Sequence, residues 1–398
     1  MEYRLGDIVK VNRGASPRPI MEYLDKKGYP WLKISDFKLG ERYVYNTKEF
    51  IKKEGLTKTR LVTKGTLILT NSATPGIPIF LGKDMCLHDG FLYFSEINEK
   101  VIKKEYLYYW FLVNRDYIVN NANGSVFKNL KKEIVENLIL ELPKIKEQQT
   151  IVKILNNISK KIELNTQTNN NLLDISQNLY ENYINTNKDI KYKKIRELNP
   201  ILESGKRPNG GVSNIKEGIP SVGAENVKKI GYYDYSKTKY VTEEFFNKMK
   251  KGILKGYEVL IYKDGGKPGY FIPNFSIFGE NFPFSKCAIN EHVFLLDFND
   301  IKYNCFAYYY FNSFKIRHKL HVLGSKSAAI PGVNHQDVLD LEIPYSESEE
   351  FKNLSNILKL NTQKILKNSY QNRTLEQLRY ILLPKLMNGE IELDKIEI

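Results

Sequence analysis

The sequence is short of the residues that build disulfide frameworks and metal sites. Three cysteines, Cys86, Cys287 and Cys305, occur in 398 residues. They are too few and too far apart for a disulfide scaffold or a cysteine-rich zinc site, so they read as buried thiols of a reducing compartment. The five histidines, His88, His292, His318, His321 and His335, share no metal-ligand spacing. His318 and His321 lie three apart on an expected helix, but no cysteine or acid completes a tetrad. Nothing approaches the run of ~20 apolar residues that a membrane span needs. The opening stretch MEYRLGDIVKV is charged and turns amphipathic at once, unlike a secretory signal. No metal, no membrane and a cytoplasmic location are the expectations.

Catalytic signatures are equally scarce. An adenine methyltransferase carries an Asn/Asp-Pro-Pro-aromatic box. The nearest string, NPIL at Asn199 to Leu202, lacks the second proline and the aromatic, and reads as a turn. A P-loop needs a hydroxyl after its lysine to hold the metal. In KDGGKPG, Pro268 follows Lys267 instead. Glu258 and Lys263 share one expected strand, with no second acid to complete a nuclease cluster.

What the chain has is positive charge and repetition. The formal net charge is +14, with 42% hydrophobic and 12% aromatic residues. That composition supports real cores, and the charge favours an acidic partner, of which nucleic acid is the commonest. The length suggests two or three domains. YRLGDIVKVNRGASPRP from Tyr3 matches YKKIRELNPILESGKRP from Tyr192. Further matches keep their order: Gly28 with Gly218, Lys64 with Lys255, Pro75-Gly76 with Pro268-Gly269, Cys86 with Cys287, Gly124-Ser125 with Gly324-Ser325, and Pro143 with Pro344. The offset drifts only from 190 to 203. Chance similarity does not keep its order this way; the chain is a tandem duplication with insertions in loops.

A heptad pattern follows each repeat. In the first copy it runs through Ile151, Leu155, Ile158, Ile162, Asn165, Asn169, Leu172, Ser176, Leu179 and Tyr183. In the second it runs through Leu354, Leu358, Asn361, Ile365, Asn368, Asn372, Leu375, Arg379 and Leu382. Each lasts ~35 residues, well beyond the mean helix. Asparagines in the middle of a seam cost stability and are most useful for fixing register. The two helices are therefore expected to pair with each other as an antiparallel intramolecular coiled coil with pseudo-twofold symmetry. At 1.5 Å per residue each is roughly 50 Å long, about one and a half turns of DNA. Between the helices, LILTN, EVLIYK, FLYFSE and HVFLLDF read as strands, and YLYYWFLVNRDYIVNNA and CFAYYYFNSFKIRHKL as aromatic-rich helices. Each repeat is expected to be α+β with a strongly bent sheet. Trp31, Tyr108 and Trp110 are assigned to cores.

LELPKIKEQQTIVKILNNISKKIE, from Leu140, resembles the junction of type I restriction-modification specificity subunits, with its proline, Glu147-Gln148-Gln149 and apolar helix. LEQLRYILLPKLMNGEIEL, from Leu375, is similar to the C-terminal signature of that family. The second junction, IPYSESEEFKNL, lacks the Glu-Gln-Gln triplet. The resemblance covers the whole chain. It implies target-recognition domains over 1–143 and 188–345, and spacer helices over 144–187 and 346–398, the last with a C-terminal tail. It also implies a subunit without catalysis that reads double-stranded DNA, each domain taking half of a split asymmetric site. The implied partners are two modification subunits, with a restriction and translocase subunit left open. S-adenosylmethionine would belong to the methyltransferase partner, and this chain would bind no cofactor.

Loops that align between the copies but differ in sequence are the expected DNA readers, because phosphates take Lys and Arg and base edges take polar side chains. In the first copy these are Arg13, Ser16, Arg18, Lys33, Ser35, Asn71, Ser72, Thr74, Asn123, Ser125 and Lys128. In the second they are Lys206, Arg207, Asn209, Glu225, Asn226, Lys263, Lys267, Lys326, Ser327, Asn334 and His335. Two rival readings stand beside this one: a self-contained DNA-modification enzyme, which the missing box disfavours, and a protein-binding adaptor, which the charge disfavours.

Overall fold

The structure is a computed structural model that describes residues 1–37, 40–120, 129–187, 190–326 and 330–393. Contacts divide the chain into two compact units, Met1–Ile158 with Gln377–Ile398, and Ser159–Glu376. Each long helix contributes residues to both.

In the first unit the strands are β1 (Glu2–Arg4), β2 (Lys10–Arg13), β3 (Leu24–Asp25), β4 (Tyr29–Leu32), β5 (Tyr43–Val44) and β6 (Glu49–Ile51). Then come β7 (Leu61–Val62), β8 (Leu67–Thr70), β9 (Pro78–Leu81), β10 (Met85–Leu87), β11 (Phe91–Ser95) and β12 (Ile139–Glu141). They form two five-stranded sheets, ordered β2-β11-β8-β9-β5 and β3-β6-β4-β10-β7, and the pair β1-β12. The expected single bent sheet is thus two sheets. The strands are short, and the chain steps from one sheet to the other across His88–Gly90, between β10 and β11. An aromatic helix, Lys104–Val113, covers the first sheet with Tyr106, Leu107 and Phe111 fully buried.

The second unit repeats this plan. Its strands are β13 (Lys191–Lys194), β14 (Ile201–Ser204), β15 (Ile219–Val222), β16 (Lys239–Val241), β17 (Val259–Tyr262), β18 (Phe275–Ile277), β19 (Ala288–Ile289), β20 (Val293–Asp297) and β21 (Glu342–Tyr345). The order β14-β20-β17-β18 matches β2-β11-β8-β9, and the antiparallel pair β13-β21 matches β1-β12. The parallel register Trp31↔Cys86 recurs as Ser221↔Ala288. Here the step between sheets is Asn290–His292. Two glycines that align in sequence serve this step. A Cβ on Gly14 would lie 2.2 Å from the His88 carbonyl oxygen, and one on Gly205 would lie 1.6 Å from that of Ile289. Asn199 is a left-handed turn residue, as its NPIL setting predicts.

The first long helix spans Ile145–Thr186 and the second Glu349–Met387. The Glu-Gln-Gln string has a physical role. Gln148 is fully buried; its Oε1 accepts the Lys103 N–H at 3.0 Å, and its Nε2 donates to the Val101 and Pro143 carbonyls. The second junction has no such tie in the sequence; there Ser348 caps the helix locally, accepting the Phe351 N–H at 3.2 Å. In the first unit Ile151, Leu155 and Leu386 share the core beneath the aromatic helix.

In the second unit the pairing is explicit. Asn165 Nδ2 donates to Asn372 Oδ1 at 2.9 Å, Asn368 Nδ2 to Asn169 Oδ1 at 2.9 Å, and Asn361 Nδ2 to Ser176 Oγ at 2.9 Å. Four residues forward on one helix is four back on the other, which is an antiparallel register. A twofold between the helices exchanges the first two pairs. One seam position is corrected: Leu179 is exposed, and Tyr180 is buried in its place. A straight helix has 3.6 residues per turn, so a strict heptad drifts by ~20° per repeat, and Tyr180 and Tyr183 join the core of the second unit.

Replacing Asn169 with Leu strands the buried Asn368 amide and should cost about 1–3 kcal/mol. The double variant N169L/N368L should recover most of it. Urea denaturation of the single and double variants measures this coupling, and additive losses would refute it.

Candidate nucleic-acid interface

In the first unit the expected reader loops meet around one unforeseen residue, Asp89. Ser16 Oγ donates to its carboxylate at 3.2 Å, Arg18 lies 4.0 Å from it, and Arg13 Nε donates to its carbonyl at 3.0 Å. The Arg18 side chain remains 85% exposed. Asn71 donates to the same carbonyl at 3.1 Å and is buried, so its amine holds the loop while its Oδ1 has no partner among the described residues. Ser72 sits beside Gly90, and the Thr74 carbonyl accepts from Thr70 Oγ1. Lys33 is half-buried, paired with Glu49 and lying 5.5 Å over the Trp31 ring; Ser35 is exposed. Asn123, Ser125 and Lys128 lie outside the described residues.

In the second unit Glu291 takes the part of Asp89. Arg207 Nε pairs with its Oε1 at 2.6 Å, and Lys263 Nζ donates to its carbonyl at 3.0 Å. Lys206, Asn209, Lys267 and Lys326 are exposed. Glu225 pairs with Lys239 at 2.6 Å. Two of the expected polar side chains bond to their own backbone. Asn226 is buried and accepts the Gly223 N–H, closing its own turn. Asn334 caps the short helix His335–Leu339 by accepting from the Gln336 and Asp337 N–H groups. His335 packs edge-on against Phe294 at 4.5 Å. Ser327 lies outside the described residues.

Each unit thus has a shallow cleft at its sheet-to-sheet step. One, of about 630 Å³, is lined by residues 16–20 with Trp31, His88 and Asp89. The other, of about 640 Å³, is lined by residues 205–211 and Glu291. Both present guanidinium groups beside a carboxylate. Residue type alone points to donors and cations at a phosphate surface, which passes over the acids Asp89 and Glu291. The available signal was an acid just ahead of the aligned strands, in CLHDGF and CAINEHVF.

The three thiols are not built as reactive groups. Burial raises the thiol pKa of Cys86 to about 11, and those of Cys287 and Cys305 to about 12, so none is a poised nucleophile. Among the described residues no group of three or more His, Cys, Asp or Glu could hold a metal, and no helix is long and apolar enough to cross a membrane.

Comparison with known proteins gives these clefts their setting. Residues 1–174 match the family model described as type I restriction modification DNA specificity domain. The type I restriction enzyme MjaIX specificity subunit of Methanocaldococcus jannaschii is 22% identical over 99% of this chain and 94% of its own. The MjaVIII specificity subunit of the same organism is also 22% identical, over 65% of this chain and 62% of its own. Over its first 174 residues this chain is thus similar to the type I restriction-modification specificity subunits. Its fold agrees. The crystal structure of a type I restriction-modification S subunit from M. genitalium superimposes with a TM-score of 0.60, over 97% of this chain and 95% of that one, at 13% identity.

His88 gives the first cleft a pH response. Its Nδ1 lies 2.9 Å from the Gly90 N–H and 3.0 Å from Asp89 Oδ1, and burial favours the neutral ring, in which Nδ1 accepts from Gly90. Burial is the main cause that lowers its pKa from 6.5, and Lys33, Arg13 and Arg18 add to that against the opposing charge of Asp89. The folded state therefore binds fewer protons than the unfolded chain between the two values. The stability His88 contributes is full above about pH 6.5 and is lost as pH falls through the lower folded value. Denaturation between pH 7 and 5 should show this loss, and His88→Asn should flatten it.

Proposed function

We propose that this chain is the sequence-reading, non-catalytic subunit of a DNA adenine modification complex. The recognition domains are 1–143 and 188–345, and each reads one half of a split, asymmetric site. The segments 144–187 and 346–398 set the gap and dock two methyltransferase subunits, which hold S-adenosylmethionine. A restriction and translocase subunit is a further partner in assemblies that cut as well as modify. The complex works in the cytoplasm.

One observation carries this reading. The same arginine-and-carboxylate cleft occurs at the equivalent step of both repeats, with different residues around it. A shared scaffold with different tips is what reading two unlike half-sites requires. The net charge of +14 supplies the sequence-independent attraction to phosphates. Joining two weak readers makes the second contact intramolecular, which raises avidity by ~100-fold or more when the spacing fits. The spacing then becomes part of the recognised sequence.

Purified alone, the chain should transfer no methyl group; with its methyltransferase partner it should direct methylation to a two-part motif. Inserting seven residues into both long helices should change the unspecified gap and leave the two half-motifs intact. Sequencing of modified DNA reads the result. An unchanged gap would overturn the spacer role, and methyl transfer by the chain alone would overturn the non-catalytic one.

A further inference from the structure

The carboxylates are the anomaly of the two clefts. A surface built to meet phosphate gains nothing from an acid at its centre, yet both repeats place one at the sheet-to-sheet step. Asp89 and Glu291 are each about one-third exposed. The carboxylates hold only part of their loops: Asp89 Oδ1 accepts from Ser16 Oγ at 3.2 Å beside His88 Nδ1, and Glu291 Oε1 pairs with Arg207 beside His292 Nε2. At Asp89 the loop contacts from Arg13 and Asn71 go to the main-chain carbonyl, and at Glu291 the contact from Lys263 does the same. Glu291 Oε2 is itself buried and, among the described residues, has no hydrogen-bond partner, so a base would reach it only as the loop of Arg207 shifts.

We propose that Asp89 and Glu291 are specificity-determining residues, each accepting a hydrogen bond from the N4 amine of a cytosine in its half-site. The inference rests on the DNA-reading function proposed above. An ionised carboxylate only accepts hydrogen bonds. In the major groove guanine offers two acceptors, thymine one acceptor and a methyl group, and only cytosine and adenine offer an amine. The group beside each carboxylate decides between these two. Arg18 stands 4.0 Å from Asp89, and Arg207 2.6 Å from Glu291. Across a single cytosine–guanine pair, the acid takes the cytosine amine while the guanidinium takes guanine O6 and N7. Adenine suits an amide better, because its N6 and N7 need a donor and an acceptor from one side chain. The acid also works by exclusion. Wherever a wrong base or a phosphate turns an acceptor toward it, the contact is repulsive.

The surroundings differ in a way that lets the two clefts accept different neighbours. Trp31, His88 and two prolines flank Asp89, whereas Lys206, Asn209 and three glycines flank Glu291.

The test compares wild-type complex, containing the full chain and its methyltransferase subunits, with complexes carrying Asp89→Asn, Asp89→Ala or Glu291→Gln, by sequencing modified DNA. The wild-type motif should contain a cytosine–guanine pair in each half. D89N should shift one position of one half toward adenine, and D89A should lower the preference there by ~10-fold. E291Q should act only on the other half. The unaffected half serves as the internal control for folding; where D89A gives no methylation, the near-isosteric D89N decides. A motif unchanged in all three variants, a single substitution that alters both halves, or a wild-type half-site without a cytosine–guanine pair would overturn the assignment. A wild-type complex that methylates no two-part motif would instead remove the function on which it rests.

Discussion

The buried amide ladder between the two long helices is the constraint on which the second unit depends. A carboxamide donates and accepts at once, so Asn169 and Asn368 satisfy each other only where their side chains meet. Sliding one helix by a turn would separate Asn165 from Asn372 as well as Asn169 from Asn368, and would strand several buried polar groups together. Leucines at these positions would pack in more than one register. The asparagines trade some stability for a single alignment. The seam is also wider than two heptad positions. Thr362, Leu366 and Ser369 are buried next to it, and Gly231, at φ +77°, packs against Ile365 and Ser369. A Cβ there would lie 2.7 Å from both. The domain therefore sits on the helix pair at a place fixed by the same residues that fix the register.

The clefts follow from a second constraint, the short step between sheets. Strands of two to five residues cannot curve through both layers, so the chain leaves one sheet and enters the next within three residues. The step exposes carbonyls, and the loop after β2 or β14 must approach them closely. Gly14 and Gly205 permit that approach because any side chain would strike the carbonyl. The loop then carries its arginines to the acid of the step. These ion pairs are partly exposed, and such pairs contribute little to stability. They can be exchanged for other contacts at small cost, which suits groups that must change partners.

The sequence made the duplication and the helix register legible because each rests on order along the chain. The mid-seam asparagines lie where the heptad count put them, and the loops of residues 16–20 and 205–211 lie at the steps between sheets. Two things were not legible. Leu179 follows the heptad but faces solvent, because the domain's own core draws Tyr180 inward and the helix keeps its straight period. Asn71, Asn226 and Asn334 look like base readers by residue type, yet their amides close turns and cap a helix. Whether an exposed-loop asparagine serves its own backbone or a ligand depends on which N–H groups lie near it in space. The acids were overlooked for the opposite reason. Their charge argues against a nucleic-acid surface until the adjacent arginines are seen.

Duplication and asymmetry are in tension, and the structure resolves it by division of labour. Strand order, the parallel pair and the step glycine are common to both units, so folding and docking on the helices impose the same demands on each. The residues that differ lie between those fixed points: Pro17, Arg18, Pro19 and Trp31 around one acid, Lys206, Arg207, Asn209 and Gly210 around the other. Substitutions there leave the shared strands and glycines untouched, so a cleft can change its preference without disturbing its scaffold or its twin. A reader with two independent tips can therefore acquire a new compound sequence by altering one loop, while the amide ladder keeps the helix register constant.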